Sequence, residues 1–479
     1  MTESTKPARP APLLTALFAL LVAHRVAFGQ ERPFQRTTGL VLGWLLAVER
    51  HTLTRVLAAL GLVATDWSAF YRLVSRPRFA YDALTGCLLR ETLPLAPADQ
   101  PYLVAVDGVV IPRHSRTMPG TGWVLAPQTA PFKRGLQRAQ RFVDLCWLPT
   151  PTADGYSRAV PLRWEPAFPP KAVAAVDVAP RSEWQAGLDG LTWLRTDLDA
   201  AERTAQWVLA IGDGSYAGKD VWRGVPARTE VLARCAKNRA LFAPPPAPVP
   251  GQKGRKRVYG DQAPHPGDWL TEPDGWAQTD VAVRGRTIPL TYRVEGPYLL
   301  RGAASHPVFL LVVKGIAKRS PSHKRRDPAY WLVSARGQED GDPVLPYPAS
   351  DLLAWAWQRW EIEVAHREQK TGFGVGEPQC WGPRSAVTAV QLAGWIYGLT
   401  VLAGIRTWGL GRAPASTPLP RWRPGGGRWS LGQLWTGFRS ELWALGAFRP
   451  VWTRTTGNWW EMVDWLDAHP NALLGSSRT

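Results

Sequence analysis

Apolar residues recur at helical spacing through the first hundred positions, and then give way to short continuous apolar runs. The first pattern predicts helices over 13–26, 37–47, 51–59, 67–75 and 81–92, with Gly61 and Pro77 as breakers between them. From Pro101 the texture changes. Tyr102-Leu-Val-Ala-Val-Asp107-Gly and Trp207-Val-Leu-Ala-Ile-Gly-Asp213-Gly are both apolar runs closed by Asp-Gly. Each reads as a buried strand that delivers an acid to its end. Further strands are expected over 229–236, 277–283, 287–294, 308–313 and 330–334, and helices over 184–205, 355–370, 383–406 and 430–467. A Pro-rich stretch at 242–250 marks a boundary, and the Pro, Gly and Arg-rich stretch 413–428 is expected to be mobile.

Composition narrows the class. With 479 residues, 45% hydrophobic and 20% charged, the chain has a globular balance that argues against wholesale disorder. Its 57 Lys and Arg against 39 Asp and Glu give a net charge of +18, which points to a polyanionic partner. The four cysteines, Cys87, Cys146, Cys235 and Cys380, lie far apart with no C-x-x-C pair. That argues against a zinc site or disulfide framework and fits a reducing, cytoplasmic setting. The apolar run 13–23 imitates a signal peptide, but it is too short to span a membrane and ends at His24 and Arg25.

Candidate chemistry centres on 355–370, which has no Gly or Pro. At about 100° per residue, Arg359, Glu363 and Lys370 fall within about 40° of one another on a surface that also carries His366. A helical carboxylate between two cations suits a site that handles metal ions and phosphates together. An ordinary i,i+4 ion pair would leave the same pattern. Glu363 and His366 also have the E-x-x-H spacing of iron or manganese ligands, but that site needs a second such motif, which this chain lacks. The 207–220 segment imitates a phosphate-binding loop, but Asp213 stands where its first Gly would be. Basic runs containing Lys253, Arg255, Lys256 and Arg257, and then Lys324, Arg325 and Arg326, are expected to contact nucleic acid. Glu361 and Glu368 lie on other faces of the 355–370 helix and are expected to be dispensable for chemistry.

Taken together, the residues resemble bacterial insertion-sequence transposases of the DDE type, whose core is RNase H-like. The resemblance rests on Val-Asp107-Gly, Asp213-Gly-Ser-Tyr, and the Arg359, Glu363, Lys370 spacing of a Tyr-Arg-Glu-Lys helix. The family's tyrosine would fall at Ala356, which lies between two tryptophans. The resemblance implies an α/β fold: an RNase H-like mixed sheet flanked by helices, with an inserted β-rich domain and an N-terminal all-helical DNA-binding domain. The expected division is 1–98 DNA-binding, 99–240 and 329–412 catalytic core, 241–328 inserted domain and 413–479 helical tail. It further implies that Asp107, Asp213 and Glu363 hold two Mg²⁺ ions, with Mn²⁺ as a substitute, while Arg359, Lys370 and His366 contact DNA. The implied partners are duplex transposon ends, target DNA and a second copy of the chain. The implied reaction is metal-dependent cleavage followed by 3′-OH strand transfer. The alternatives are a transposase-derived DNA-binding protein that no longer cleaves and a nuclease without joining activity.

Overall fold

The computed structural model describes residues 11–48, 50–115, 117–126, 135–247, 256–316, 326–338, 341–415 and 426–444. Ten strands form one mixed sheet: β1 (Tyr102–Pro112), β2 (Gly122–Leu125), β3 (Leu136–Trp147), β4 (Val160–Pro166), β5 (Val208–Gly212), β6 (Thr229–Arg234), β7 (Ala277–Val283), β8 (Arg286–Leu300), β9 (Ala303–Val313) and β10 (Ala329–Ser334). Their order is β2-β3-β1-β5-β6-β10-β9-β8-β7, and β4 shares the outer side of β3 with β2. β1, β5 and β6 run parallel, whereas β3 and β10 join them antiparallel. The near-continuous apolar sequences of β1 and β5 follow from this position, because helices cover both faces of the central strands.

Eleven helices surround the sheet among the described residues: α1 (Pro12–Ala23), α2 (Glu31–Leu46), α3 (Leu53–Ala59), α4 (Ser68–Ser75), α5 (Tyr81–Thr92), α6 (Glu183–Ala200), α7 (Lys219–Gly224), α8 (Ala349–Gln358), α9 (Trp360–Arg367), α10 (Ser385–Trp408) and α11 (Leu431–Ala444). α6 starts at a capping box made by Ser182 and Gln185. It packs on one face of β1, β3 and β4, while α9 packs against β1 and α10 against β4 from the other. Alternation along β1 shows the division: Gly108 lies under the Glu183 carboxyl of α6, and its neighbour Asp107 faces His366 of α9. α10 is long and apolar enough to cross a membrane, yet 94% of its apolar window is buried inside the protein. Its Gly394 is required there, since a Cβ would lie 2.7 Å from Trp164 Nε1 on β4.

Two features differ from the sequence-based expectation. The strands placed in an inserted domain, β7 to β9, extend the central sheet through β10 instead of building a sheet of their own. The N-terminal helices likewise share the main core: Leu13, Leu17 and Leu20 are fully buried within it, and His24 meets Trp395 of α10 edge-on at 5.5 Å. The Glu441 carboxylate of α11 accepts the Leu13 and Leu14 N–H groups at 3.1 and 2.8 Å, which caps α1 from the far end of the chain. Neither pairing is written in local periodicity, because each is set by tertiary contact, and that between Leu13 and Glu441 spans 428 positions.

His24 makes the fold pH-sensitive. Burial lowers its pKa to about 4, with Arg90 and Arg406 adding to the shift and the Leu20 carbonyl opposing it. The unfolded chain takes up a proton below the ordinary histidine value of 6.5, but the native ring stays neutral down to about 4. Stability is therefore full above the unfolded value and is lost as pH falls through this window. The expected slope is up to about 1.4 kcal/mol per pH unit. Urea unfolding of His24→Gln, which keeps a donor for Leu20, should lose that increment of slope.

Candidate active site

The parallel ladder between β1 and β5 ends where Val106 faces Gly212, so Asp107 and Asp213 emerge side by side from adjacent strands. β1 itself continues to Pro112 on its β3 side, which makes Asp107 a mid-strand residue and not the strand-terminal one expected. It reaches open space because β5 stops short. Asp107 Oδ1 accepts its neighbour Gly108 N–H at 2.8 Å, and Asp213 Oδ1 accepts Ser215 N–H at 2.8 Å. Burial pushes the Asp107 carboxyl up to about 6, and Asp213 adds to the shift; His366, Arg359 and the Gly108 amide oppose it. Burial raises the pKa of Tyr216, and the charges of Glu183, Asp107 and Asp213 raise it further.

Glu363 comes from the other layer. The expected continuous helix starts earlier, at Ala349, tightens at Arg359 and resumes as α9. It then widens into a π-turn over Glu368–Gly372. At the tightened turn Ile362 N–H reaches back only to the Arg359 carbonyl, at 3.0 Å. Arg359 Nη2 donates to Glu363 Oε1 at 2.6 Å, and Nη1 lies 3.9 Å from Asp107 Oδ2. One guanidinium thus bridges the helix acid and the strand acid. Lys370 is an exposed residue whose ammonium is drawn below its usual range by local desolvation, with Asp107 opposing.

Glu363, Arg359 and Ala356 also line a cleft of about 590 Å³ with Trp357, Arg234 and Arg326. Arg326 lies 5.9 Å over the Trp357 ring. The position of the family's tyrosine, Ala356, is buried at the wall of this cleft. Lys256 and Arg257 are exposed, and Arg257 pairs with Asp261 at 3.1 Å. Lys253, Arg255, Lys324 and Arg325 lie outside the described residues.

His366 departs from expectation. It was expected to face DNA, but it is 8% exposed, with Nδ1 3.9 Å from Asp107 and Nε2 3.3 Å from Asp144. The helix turns it inward to the sheet, one turn from Glu363. Asp144, a fully buried acid on β3, was not among the expected site residues. Its signal was there to find: a lone acid inside the apolar run Phe142-Val-Asp144-Leu-Cys-Trp-Leu148. Glu361 and Glu368 are also more than bystanders. Glu361 is held by Arg284 at 2.7 Å and by Arg428, and Glu368 by Arg158 at 2.9 Å and Tyr397 at 2.7 Å. Arg428 and the fully buried Trp429, at the end of the stretch expected to be mobile, form part of this clamp.

The donor set suits a hard divalent cation: carboxylate oxygens, with the Asp107 carboxyl pushed up by burial and by the Asp213 charge. Among the described residues no three His, Cys, Asp or Glu side chains are gathered tightly enough to hold an ion. Arg359 holds Glu363 through Oε1.

A family model described as DDE superfamily endonuclease matches residues 27–294, a span that includes Asp107 and Asp213 but stops before Glu363. No curated protein matches the chain. Among solved structures, a piggyBac transposase synaptic complex with hairpin DNA is 11% identical, with a TM-score of 0.35. The alignment covers 95% of this chain and 75% of that one. At that score the likeness carries no weight.

Proposed function

The chain belongs to the DDE superfamily endonuclease family, and from that premise we propose that it is a transposase: it cleaves DNA at transposon ends and transfers the new 3′-OH into target DNA. The observation that carries the reading is the Arg359 guanidinium shared between Asp107 and Glu363, beside Asp213 just past the end of the adjacent strand. The strand order supports an RNase H-like core, with β4, β3 and β1 antiparallel and β1, β5 and β6 parallel.

Asp107, Asp213 and Glu363 are the residues that would hold divalent ions, Mg²⁺ or Mn²⁺. Such ions, when bound, supply a nucleophile at neutral pH and charge stabilisation at the phosphodiester. The chain's own cations do the rest. Arg359, once released from Glu363, offers two parallel donors to phosphate oxygens, and Lys370 adds a point charge on the same side. Arg234 and Arg326 in the cleft, together with the basic stretches 253–257 and 318–326, would hold the flanking backbone, consistent with the net charge of +18. We place the protein in the cytoplasm, acting as a homodimer on paired duplex ends.

The test supplies a labelled duplex, carrying the terminal sequence that flanks the gene, together with a target plasmid and Mg²⁺. Covalent joining of the labelled 3′ end to the plasmid is expected. Cleavage without joining would reduce the protein to a nuclease, and binding with neither would make it an inactive descendant.

A further inference from the structure

Asp144 has no obvious reason to be an acid. It lies directly opposite Asp107 in the β1–β3 register, so the two carboxylates share one face of the sheet. Opposed residues on antiparallel strands sit with Cβ atoms about 5 Å apart, and like charges there repel. Asp144 is also fully buried, among Phe142, Val143, Leu145 and Cys146. A buried carboxylate is costly, and an apolar residue in this strand would fit its neighbours better.

What meets Asp144 explains its presence. His366 Nε2 is 3.3 Å from Asp144 Oδ2, a charge contact outside hydrogen-bond geometry, and the same ring turns Nδ1 to within 3.9 Å of Asp107 Oδ2. Gln369 Nε2 donates to Asp144 Oδ2 at 3.2 Å from a fully buried position. Gln369 belongs to the π-turn, an irregularity that often marks functional sites, and here the wider turn brings its amide to the sheet. The Trp164 ring stands edge-on to the imidazole at 6.4 Å. Asp107 Oδ1 is already held by Gly108 N–H, so Oδ2 is the oxygen that His366 and Arg359 steer, each from 3.9 Å. Both distances are too long for hydrogen bonds. The carboxylate is oriented without being tied up.

We infer that Asp144 and His366 are a positioning pair: Asp144, braced by Gln369, sets the imidazole, and the imidazole aims the Asp107 carboxylate into the cleavage site. In metal sites an outer carboxylate commonly orients a ligating histidine. Here the order is reversed, and the histidine orients a carboxylate. The inference rests on the reading of Asp107 as an ion-holding acid.

The experiment measures Mn²⁺ binding to the full, DNA-free protein by electron paramagnetic resonance. In parallel it measures the Mn²⁺ concentration needed for half-maximal cleavage, for wild type, Asp144→Asn, His366→Gln and the double variant. Asp144→Asn should weaken Mn²⁺ binding by about 10- to 100-fold, the range seen when outer-shell partners are lost. The half-saturating concentration should rise with it, while the maximal rate at saturating Mn²⁺ changes much less. Because Asp144 acts through His366, the double variant should lose no more than His366→Gln alone. Additive losses, or wild-type Mn²⁺ binding by Asp144→Asn, would overturn the inference. Should Asp144→Asn not fold, Gln369→Met removes only the brace and should weaken Mn²⁺ binding in the same direction; wild-type binding there would also overturn it. A wild-type protein that binds no Mn²⁺ would overturn the nuclease reading and this inference together, which separates the two failures.

Discussion

Glu363→Gln is expected to abolish DNA cleavage while leaving the protein folded and bound to DNA. The substitution keeps the volume of the side chain and its hydrogen bonding to Arg359, but removes the charge that a divalent ion needs. Little stability is at stake, because Glu363 is about one-third exposed and its i,i+4 pair with Arg359 is of a kind worth a few tenths of a kcal/mol. Affinity for end DNA without metal depends on cations, so it should hold or rise as one negative charge disappears from the cleft. Cleavage should fall on the order of 10³-fold or more, equal to roughly 4 kcal/mol of barrier. On the proposed reading strand transfer should fall with it, since one site would perform both steps. Mobility shift in EDTA and end-cleavage in Mg²⁺, run on the same preparation, measure the two effects. Near-normal cleavage would remove Glu363 from the site.

The same substitution two residues earlier should do the opposite. Glu361 is 5% exposed and clamped between Arg284, from the β7–β8 turn, and Arg428. Glu361→Gln leaves two guanidiniums facing a neutral amide in a buried setting. Breaking a buried ion pair from one side costs about 3 kcal/mol or more. The expected result is a lowered urea midpoint, with the residual folded fraction still cleaving at a normal rate per active molecule. Glu361 was expected to be a harmless control, and the structure makes it a stability residue. An unchanged midpoint would mean that the clamp contributes nothing.

How far the sequence carried this picture depended on the kind of information each feature leaves. β1, β5, β6 and β10 were legible because strands covered on both faces write themselves as continuous apolar runs. Asp107 and Asp213 stood out as acids closing such runs. α10 was legible for the same reason in helical form, as 24 residues with a single charge, Arg406. The register that sets Asp144 opposite Asp107 was not legible, because pairing depends on a strand some 40 positions away. The inward turn of His366 was hidden too. A helical wheel treats 355–370 as one regular cylinder, whereas the chain tightens at Arg359 and loosens at Glu368. The continuation of the sheet into β7, β8 and β9 could not be read from their alternation, which says only that each has one drier face.

Fe²⁺-directed cleavage of the polypeptide tests most directly whether acids from β1, from the end of β5 and from α9 form one ion-holding centre. Fe²⁺ takes the place of the divalent ion, and ascorbate with peroxide then cuts the backbone near the bound iron. Cuts are expected to cluster around Asp107, Asp213 and Glu363, to fade with excess Mg²⁺, and to vanish in Asp213→Asn. Cuts confined to other segments, or cuts at these three that ignore Mg²⁺, would contradict a shared ion site.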